Sequence, residues 1–322
     1  MKRYLSIFFM ATVFLVSFYG LSFSCDYCQL SQGLSPLQST TGMGLRVDER
    51  YVVLDKMYNG TQKVDNPGNK ETHLVTQFTG FYSVNPDLTV LAVVPYARRT
   101  MKEWHEHHHD EMELVTGDAS GVGDITLAGR YAFFRRHDLD STTILAGLAG
   151  AKLPTGSTNA RDDAGRYMDA HVQPGTGSVD VLLGLNFNHA VDRFTLASNA
   201  LFSVNNEGKT GNAKHQFGNQ FAYDVTGLYR IHPATPPGQT LSLALGVAGE
   251  WRDKEKIAGV APDGLNGHVI YLNTGLWFMP HPQWIMELNY RPAVYHNLPA
   301  SPSSAQLGED YKVTLSLTTL FR

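Results

Sequence analysis

The sequence predicts an all-β protein, a transmembrane antiparallel β-barrel of about twelve strands, and three observations predict it. Stretches of about ten to fourteen residues alternate apolar and polar side chains, the period of a sheet with two unlike faces. Short turns between these stretches alternate with long hydrophilic loops. Beyond residue 24, no run is apolar for long enough to cross a bilayer as a helix. Lipid offers no partner to backbone N–H and C=O groups, so a spanning chain must be helical or form a closed sheet. Of the 322 residues 43% are hydrophobic and only 17% charged, yet the mean hydropathy of -0.21 is too low for a helical membrane protein. Alternation reconciles the two, because half of each strand faces lipid and half faces the lumen. A net charge of -4 gives no electrostatic reason to expect nucleic acid.

The chain opens with the marks of a secretory leader. Lys2 and Arg3 precede an apolar run over 5–21, and Ser22-Phe23-Ser24 presents small residues where a signal peptidase requires them. Residues 1–24 are therefore expected to be a cleaved signal peptide, residues 25–40 a periplasmic extension with a CxxC pair that could plug the lumen, and residues 41–322 the barrel. A membrane anchor is the weaker reading of the leader, since the segment is short and polar sequence follows it directly. Lipidation at Cys25 fits poorly, because Ser22 stands where an aliphatic residue is usual.

Strand by strand, the first covers about 44–55, with Leu45, Val47, Tyr51 and Val53 on one face and Arg46, Asp48 and Arg50 on the other. The second covers 73–84 and carries Leu74, Phe78 and Tyr82, and Asn85-Pro86-Asp87 turns the chain. The third, 88–101, contains Pro95, which cannot donate to a ladder and predicts a bulge or a local break. The fourth and fifth, 123–134 and 142–153, flank a turn at 137–141; the sixth and seventh, 178–188 and 194–204, flank Ala190-Val191-Asp192. The eighth to eleventh cover 217–231, 241–252, 268–279 and a stretch beginning near Trp284. The last alternates Tyr311, Val313, Leu315 and Leu317 with Lys312, Thr314, Ser316 and Thr318. Five short connections, near Asn85, His137, Val191, Pro236 and His281, alternate with six long ones over about 56–72, 102–122, 154–177, 205–216, 253–267 and 298–310. In bacterial outer-membrane barrels the turns are periplasmic and the loops extracellular, which puts both termini in the periplasm.

Charged residues in the polar phase, Asp48, Arg50, Asp124, Arg130, Asp180, Asp224, Arg230, Glu250, Arg252, Glu287 and Arg291, are expected to line the lumen. Facing lipid at the midplane, a basic one would cost about 2–4 kcal/mol. They could select solutes; the plainer expectation is a set of cross-strand ion pairs that fills and stiffens the interior. Trp251, Trp277, Trp284 and Tyr96 are expected in interfacial girdles.

Three local features carry candidate chemistry. The stretch over 103–113 holds His105, His107, His108 and His109 among carboxylates, donors suited to zinc, copper or nickel, although clustered histidines in a loop also bind metal without being selected for it. Cys25 and Cys28 form a CxxC whose next residue is Gln29, not the histidine of a haem-attachment motif, so a local disulfide is the expected state. Catalysis finds no support. A barrel phospholipase needs a histidine two residues before a Ser-Asn-Gly stretch, but Ser198-Asn199 follows Leu196 and precedes Ala200; Asp162-Asp163 and His109-Asp110 supply protease residue types without a constellation. No resident cofactor is expected beyond a divalent metal at the His-rich loop.

Four segments, Val94-Pro95-Tyr96, Gly121-Val122-Gly123-Asp124-Ile125, Lys152-Leu153-Pro154-Thr155-Gly156-Ser157 and Gln173-Pro174-Gly175-Thr176-Gly177-Ser178 with Asp180, occur in this order. Through them the chain resembles the outer-membrane transporter family of the phenol-degradation meta-pathway type, over about 44–321. The resemblance implies a channel across the outer membrane, in some members associated with aromatic-compound catabolism, and names no substrate. Residues 154–177 are expected to shape one extracellular loop toward the mouth. The function expected is passage of small solutes, with hydrophobic or aromatic compounds as candidates and outer-membrane lipid as the surroundings. Twelve strands suit a narrow pore. The alternatives are a metal-binding surface barrel using 103–113, and a non-conducting structural barrel that binds a periplasmic partner through the N-terminal extension.

Overall fold

A computed structural model describes residues 21–22, 42–107, 111–232, 239–299 and 305–321. Twelve antiparallel strands close into a barrel: β1 (Met43–Asn59), β2 (Lys70–Ser83), β3 (Leu88–His107), β4 (Ile125–His137), β5 (Ser141–Leu153), β6 (Asp180–Val191), β7 (Phe194–Val204), β8 (Gln220–His232), β9 (Thr240–Arg252), β10 (Gly267–His281), β11 (Trp284–Asn297) and β12 (Gln306–Phe321). Each pairs with its neighbours in sequence, and β12 pairs back on β1, with Leu317 opposite Val47 and Phe321 opposite Met43. That seam leaves the barrel without an edge, the condition lipid imposes. Short of the barrel, Leu21–Ser22 pairs in parallel with Gln306 and Leu307.

Exposure shows which face meets lipid. On β2, Leu74, Phe78 and Tyr82 are 37%, 43% and 51% exposed, while Glu71, His73 and Gln77, on the opposite face, are at most 4% exposed. A soluble sheet would reverse these values; here the apolar face points out and the polar face in. The same holds for Leu183 and Leu185 against Asn186 and Asn188 on β6, and for Leu315 and Leu317 against Ser316 and Thr318 on β12.

The expected strands are all present, with three corrections. First, 102–122 is not an open loop. The third strand runs on to His107 and the chain returns as a strand over Glu111–Val122, so this hairpin projects beyond the ring of twelve. Pro95 marks the predicted irregularity: Val93 pairs with Thr126 but Tyr96 pairs with Val122, a one-residue shift absorbed around Gly123 and Asp124, where the Gly123 N–H donates to the Pro95 carbonyl at 2.8 Å. Second, Trp277 is not in the outer girdle. It packs against Ala197, Leu228 and Ala244, which are buried residues of the inner face. Trp251, Trp284 and Tyr96 are outside, at 40%, 46% and 47% exposure. Third, Val53 is buried rather than lipid-facing, beside the register shifts of β12 between Gly308 and Tyr311.

The interior is not uniformly polar either. Phe81, Leu91, Val93, Ala128, Leu148, Leu182 and Leu201 form one buried cluster, with Leu320 packed against it. Several of these lie in runs such as Val90-Leu91-Ala92-Val93 and Val181-Leu182-Leu183, apolar on both faces, which a period of two cannot divide into inside and outside.

Charge pairing fills much of the rest. Arg46 Nε donates to Asp48 at 2.7 Å and Arg46 Nη1 to Glu287 at 2.8 Å, all three side chains being almost fully buried. Replacing Arg46 with methionine strands two buried carboxylates, so a loss of about 3–5 kcal/mol is expected. Urea unfolding of the barrel in lipid vesicles measures it. Leu315→Arg, on the outer face, is expected to cost about 2–4 kcal/mol in the same assay.

Candidate functional site

The connection from β5 to β6, residues 154–179, enters the mouth of the barrel. Its sequence prepares this at both roots. Gly156 and Gly175 cross so closely that a Cβ on Gly175 would lie 2.5 Å from the Gly156 carbonyl carbon, and one on Gly156 would lie 2.9 Å from that of Gly123. Only glycine permits that approach. Asp124 staples the crossing: one carboxylate oxygen accepts the Gly156 N–H at 2.9 Å, and the other accepts the N–H and hydroxyl of Thr176 at 2.8 and 2.7 Å. Lys152 Nζ, 3.3 Å from Asp124 and 2.5 Å from Asp180, lies between these two carboxylates. Asp180 also accepts the Ser178 hydroxyl and the Asn206 N–H, which ties in the next extracellular connection. The motifs that carried the family resemblance are therefore the hinges of an inserted loop.

Its tip is a single 3-10 turn, Ala170–Val172, N-capped by Asp169 and buried throughout. Met168 and Val172 pack against Met101, Val115 and Ala119 of the projecting hairpin. Arg99 on β3 donates to the carbonyls of His171 and Gln173 at 2.7 and 2.8 Å. The Gln173 side chain holds the loop to itself, donating to the carbonyls of Ala160 and Met168 and accepting the Ala160 N–H.

Beneath this loop lies a cavity of about 80 Å³. Arg50, Arg99, Lys152, Asp124 and Asp180 supply its charged lining, and Val75, Val93, Pro95, Ala97 and Phe217 its apolar one. Val93 belongs also to the apolar cluster of the lumen, so the cavity and that cluster adjoin.

Of the eleven charged residues expected in the lumen, ten are buried: Asp48, Arg50, Asp124, Arg130, Asp180, Asp224, Glu250, Arg252, Glu287 and Arg291. Arg230 instead donates to the Asp192 carbonyl in a periplasmic turn and is a rim residue. Most of the ten belong to polar networks. Lys312 joins Glu250 and Glu309, Asn199 bridges Asp224 and Asn186, and Arg291 donates to Asn273. The candidate metal residues are not brought into view: His105 and His107 have described backbone only, and His108, His109, Cys25 and Cys28 lie outside the described residues. Among the described residues no group of three His, Cys, Asp or Glu side chains has metal-holding geometry.

Several residues of the site were not singled out in the sequence: Arg99, His171, His215 and Glu255. None has a local signature, since each is an isolated polar residue in a strand or loop, and Lys152 was quoted only as the first residue of a family motif. On the outer wall Glu49 was also missed; it occupies a lipid-facing position and accepts the Thr76 hydroxyl at 2.6 Å.

Glu255, between β9 and β10, has a pKa well below its ordinary value. Burial alone would raise it, but the charges of His171 and Arg252 and the hydrogen bonds from two imidazoles outweigh burial.

A closed twelve-stranded ring, greasy outside and charged within, with one long loop folded into its mouth, defines an integral β-barrel of the bacterial outer membrane. Residues 58–294 match the family model described as "Putative MetA-pathway of phenol degradation", and the chain belongs to that family. No curated protein matches the sequence. Among solved structures, an outer-membrane channel from Pseudomonas putida F1 is similar in fold, with a TM-score of 0.65 and 18% identity over 88% of this chain and 96% of that one. A Pseudomonas aeruginosa FadL homologue (TM-score 0.42, 12% identity, 89% and 93% covered) and the Ralstonia pickettii toluene transporter TbuX (0.39, 8%, 88% and 90%) are more distant barrels.

Two outcomes are expected at this site. Asp124→Asn removes the charge from four contacts at the loop roots, and protease cleavage within 157–175 should accelerate about tenfold or more, read on the folded barrel. A carboxylate with a depressed pKa stabilises the fold above its unfolded value of 4.5 and loses that contribution as pH falls through the lower folded value. The difference in loop protection between the native protein and Glu255→Gln should therefore shrink as pH falls below 4.5, as hydrogen exchange measures.

Proposed function

We propose that the protein carries small solutes across the outer membrane through its lumen, favouring hydrophobic and aromatic compounds over ions, with residues 154–179 as the lid of the path. The observation that carries this reading is the apolar cluster of the lumen. Phe81, Leu91, Val93, Ala128, Leu148, Leu182, Leu201 and Leu320 bring side chains from β2 to β7 and from β12 together inside the barrel. A hydrated ion loses solvation there with no compensating partner, whereas an apolar solute loses nothing. The adjoining cavity of about 80 Å³ has room for roughly three waters at about 30 Å³ each, so the closed loop leaves only a narrow space above the cluster. Membership of a family described by phenol degradation agrees with that class of solute.

The native protein in planar bilayers should pass little ion current. Replacing Leu182 and Leu201 together with serine should raise the current several-fold, because water then enters the apolar section. A native conductance like that of a wide porin, or no change in the double variant, would refute the preference for apolar solutes. Growth of a deletion strain on phenol as sole carbon source, supplied at limiting concentration, should be slower than that of its parent and restored by the native chain.

A further inference from the structure

Three extracellular connections meet at one carboxylate. Glu255, from the β9–β10 connection, has no exposed surface. Its oxygens lie 3.0 Å from His171 Nε2, on the inserted loop, and 2.9 Å from His215 Nε2, on the β7–β8 connection. Arg252 Nη1 stands 3.1 Å from the same carboxylate and 3.1 Å from His171 Nδ1. The His171 ring thus spans the cluster, its Nδ1 facing the Arg252 guanidinium and its Nε2 the Glu255 carboxylate. Phe217 closes the group, its ring centre 5.2 Å from that of His171 and 4.5 Å from that of His215.

Such a cluster adds little net stability, because desolvating its charges offsets most of their attraction. What it adds is abruptness. A buried carboxylate that loses one donor becomes a poorly satisfied charge, so the remaining contacts weaken together and the cluster is either whole or broken. Its position makes that property useful. His171 sits at the tip of the loop that covers the cavity, and Ala170, Gln173 and Pro174 beside it form part of the cavity wall. The opposite side of the tip is held by Arg99 through main-chain carbonyls.

We propose that Glu255 is the catch of a latch: by holding His171 and His215 it keeps the inserted loop closed, and release of the two imidazoles lets the loop swing out of the mouth. The proposal rests on the reading of residues 154–179 as a lid. Glu255 is a positioning residue, acting on solute passage only through the loop.

The test uses the full chain reconstituted in lipid, with the folded barrel verified by its heat-dependent migration in gels. Hydrogen exchange of 166–173 is read on Glu255→Gln, His215→Phe and Lys254→Ala, and ion current on the same changes placed in the Leu182→Ser, Leu201→Ser background, where the apolar section no longer bars ions. In the first two variants exchange should rise about tenfold or more, and current should rise with it. Lys254→Ala, which removes only the exposed Lys254–Asp263 pair of the same connection, should change neither. Unchanged exchange in both Glu255→Gln and His215→Phe would overturn the latch. Faster exchange with unchanged current would uphold the latch and overturn the lid. Should Glu255→Gln fail to fold, His215→Phe decides the matter by the same readout.

Discussion

Every feature of this protein depends on the need to satisfy the backbone in a solvent that cannot hydrogen-bond. The ladder between β12 and β1 meets that need by closing the sheet on itself. Once the ring is closed, each strand has one lipid face and one inner face. The inner face must then hold whatever polar and charged groups the alternation places there. Arg46 with Asp48 and Glu287, and Lys312 with Glu250 and Glu309, are the consequence: charges confined together and therefore paired. These pairs stiffen the wall, and their opposite signs leave the interior without a strong net field.

The mouth is organised by a different constraint, close backbone approach. Gly123, Gly156 and Gly175 let three chain segments cross without side chains between them, and Asp124 supplies the acceptors that the crossing N–H groups require. The loop is thus hinged at its roots and fastened at its tip, with the cavity between. Anchored ends and a tip held by a few polar contacts favour local opening over global unfolding, since the barrel strands carry the continuous ladders.

On the path proposed for a solute, the cavity and the apolar cluster lie in series. The cavity offers charged and amide groups that could orient a solute, and the cluster sets a desolvation barrier that rises steeply with solute charge. A polar zone followed by an apolar one suits molecules with an apolar body and a small polar part.

The strand count, the alternation of short and long connections, the outward and inward faces and the irregularity at Pro95 were all legible in the sequence. Each arises from a local rule: a period of two, turn-forming residues, or the N–H that proline lacks. Trp277 was misplaced and the inward leucines went unassigned, because a run apolar on both sides carries no phase. The pairing of Lys152 with Asp124 and Asp180, and the meeting of His171, His215 and Glu255, could not be read at all. Those groups are separated by tens of residues and join only when the ring closes and three loops converge over it. The sequence by itself determined a sealed cylinder and its two faces, because those follow from neighbours along one strand. Only the tertiary structure decided what fills the cylinder and what covers it, because that depends on contacts between strands and loops far apart in the chain.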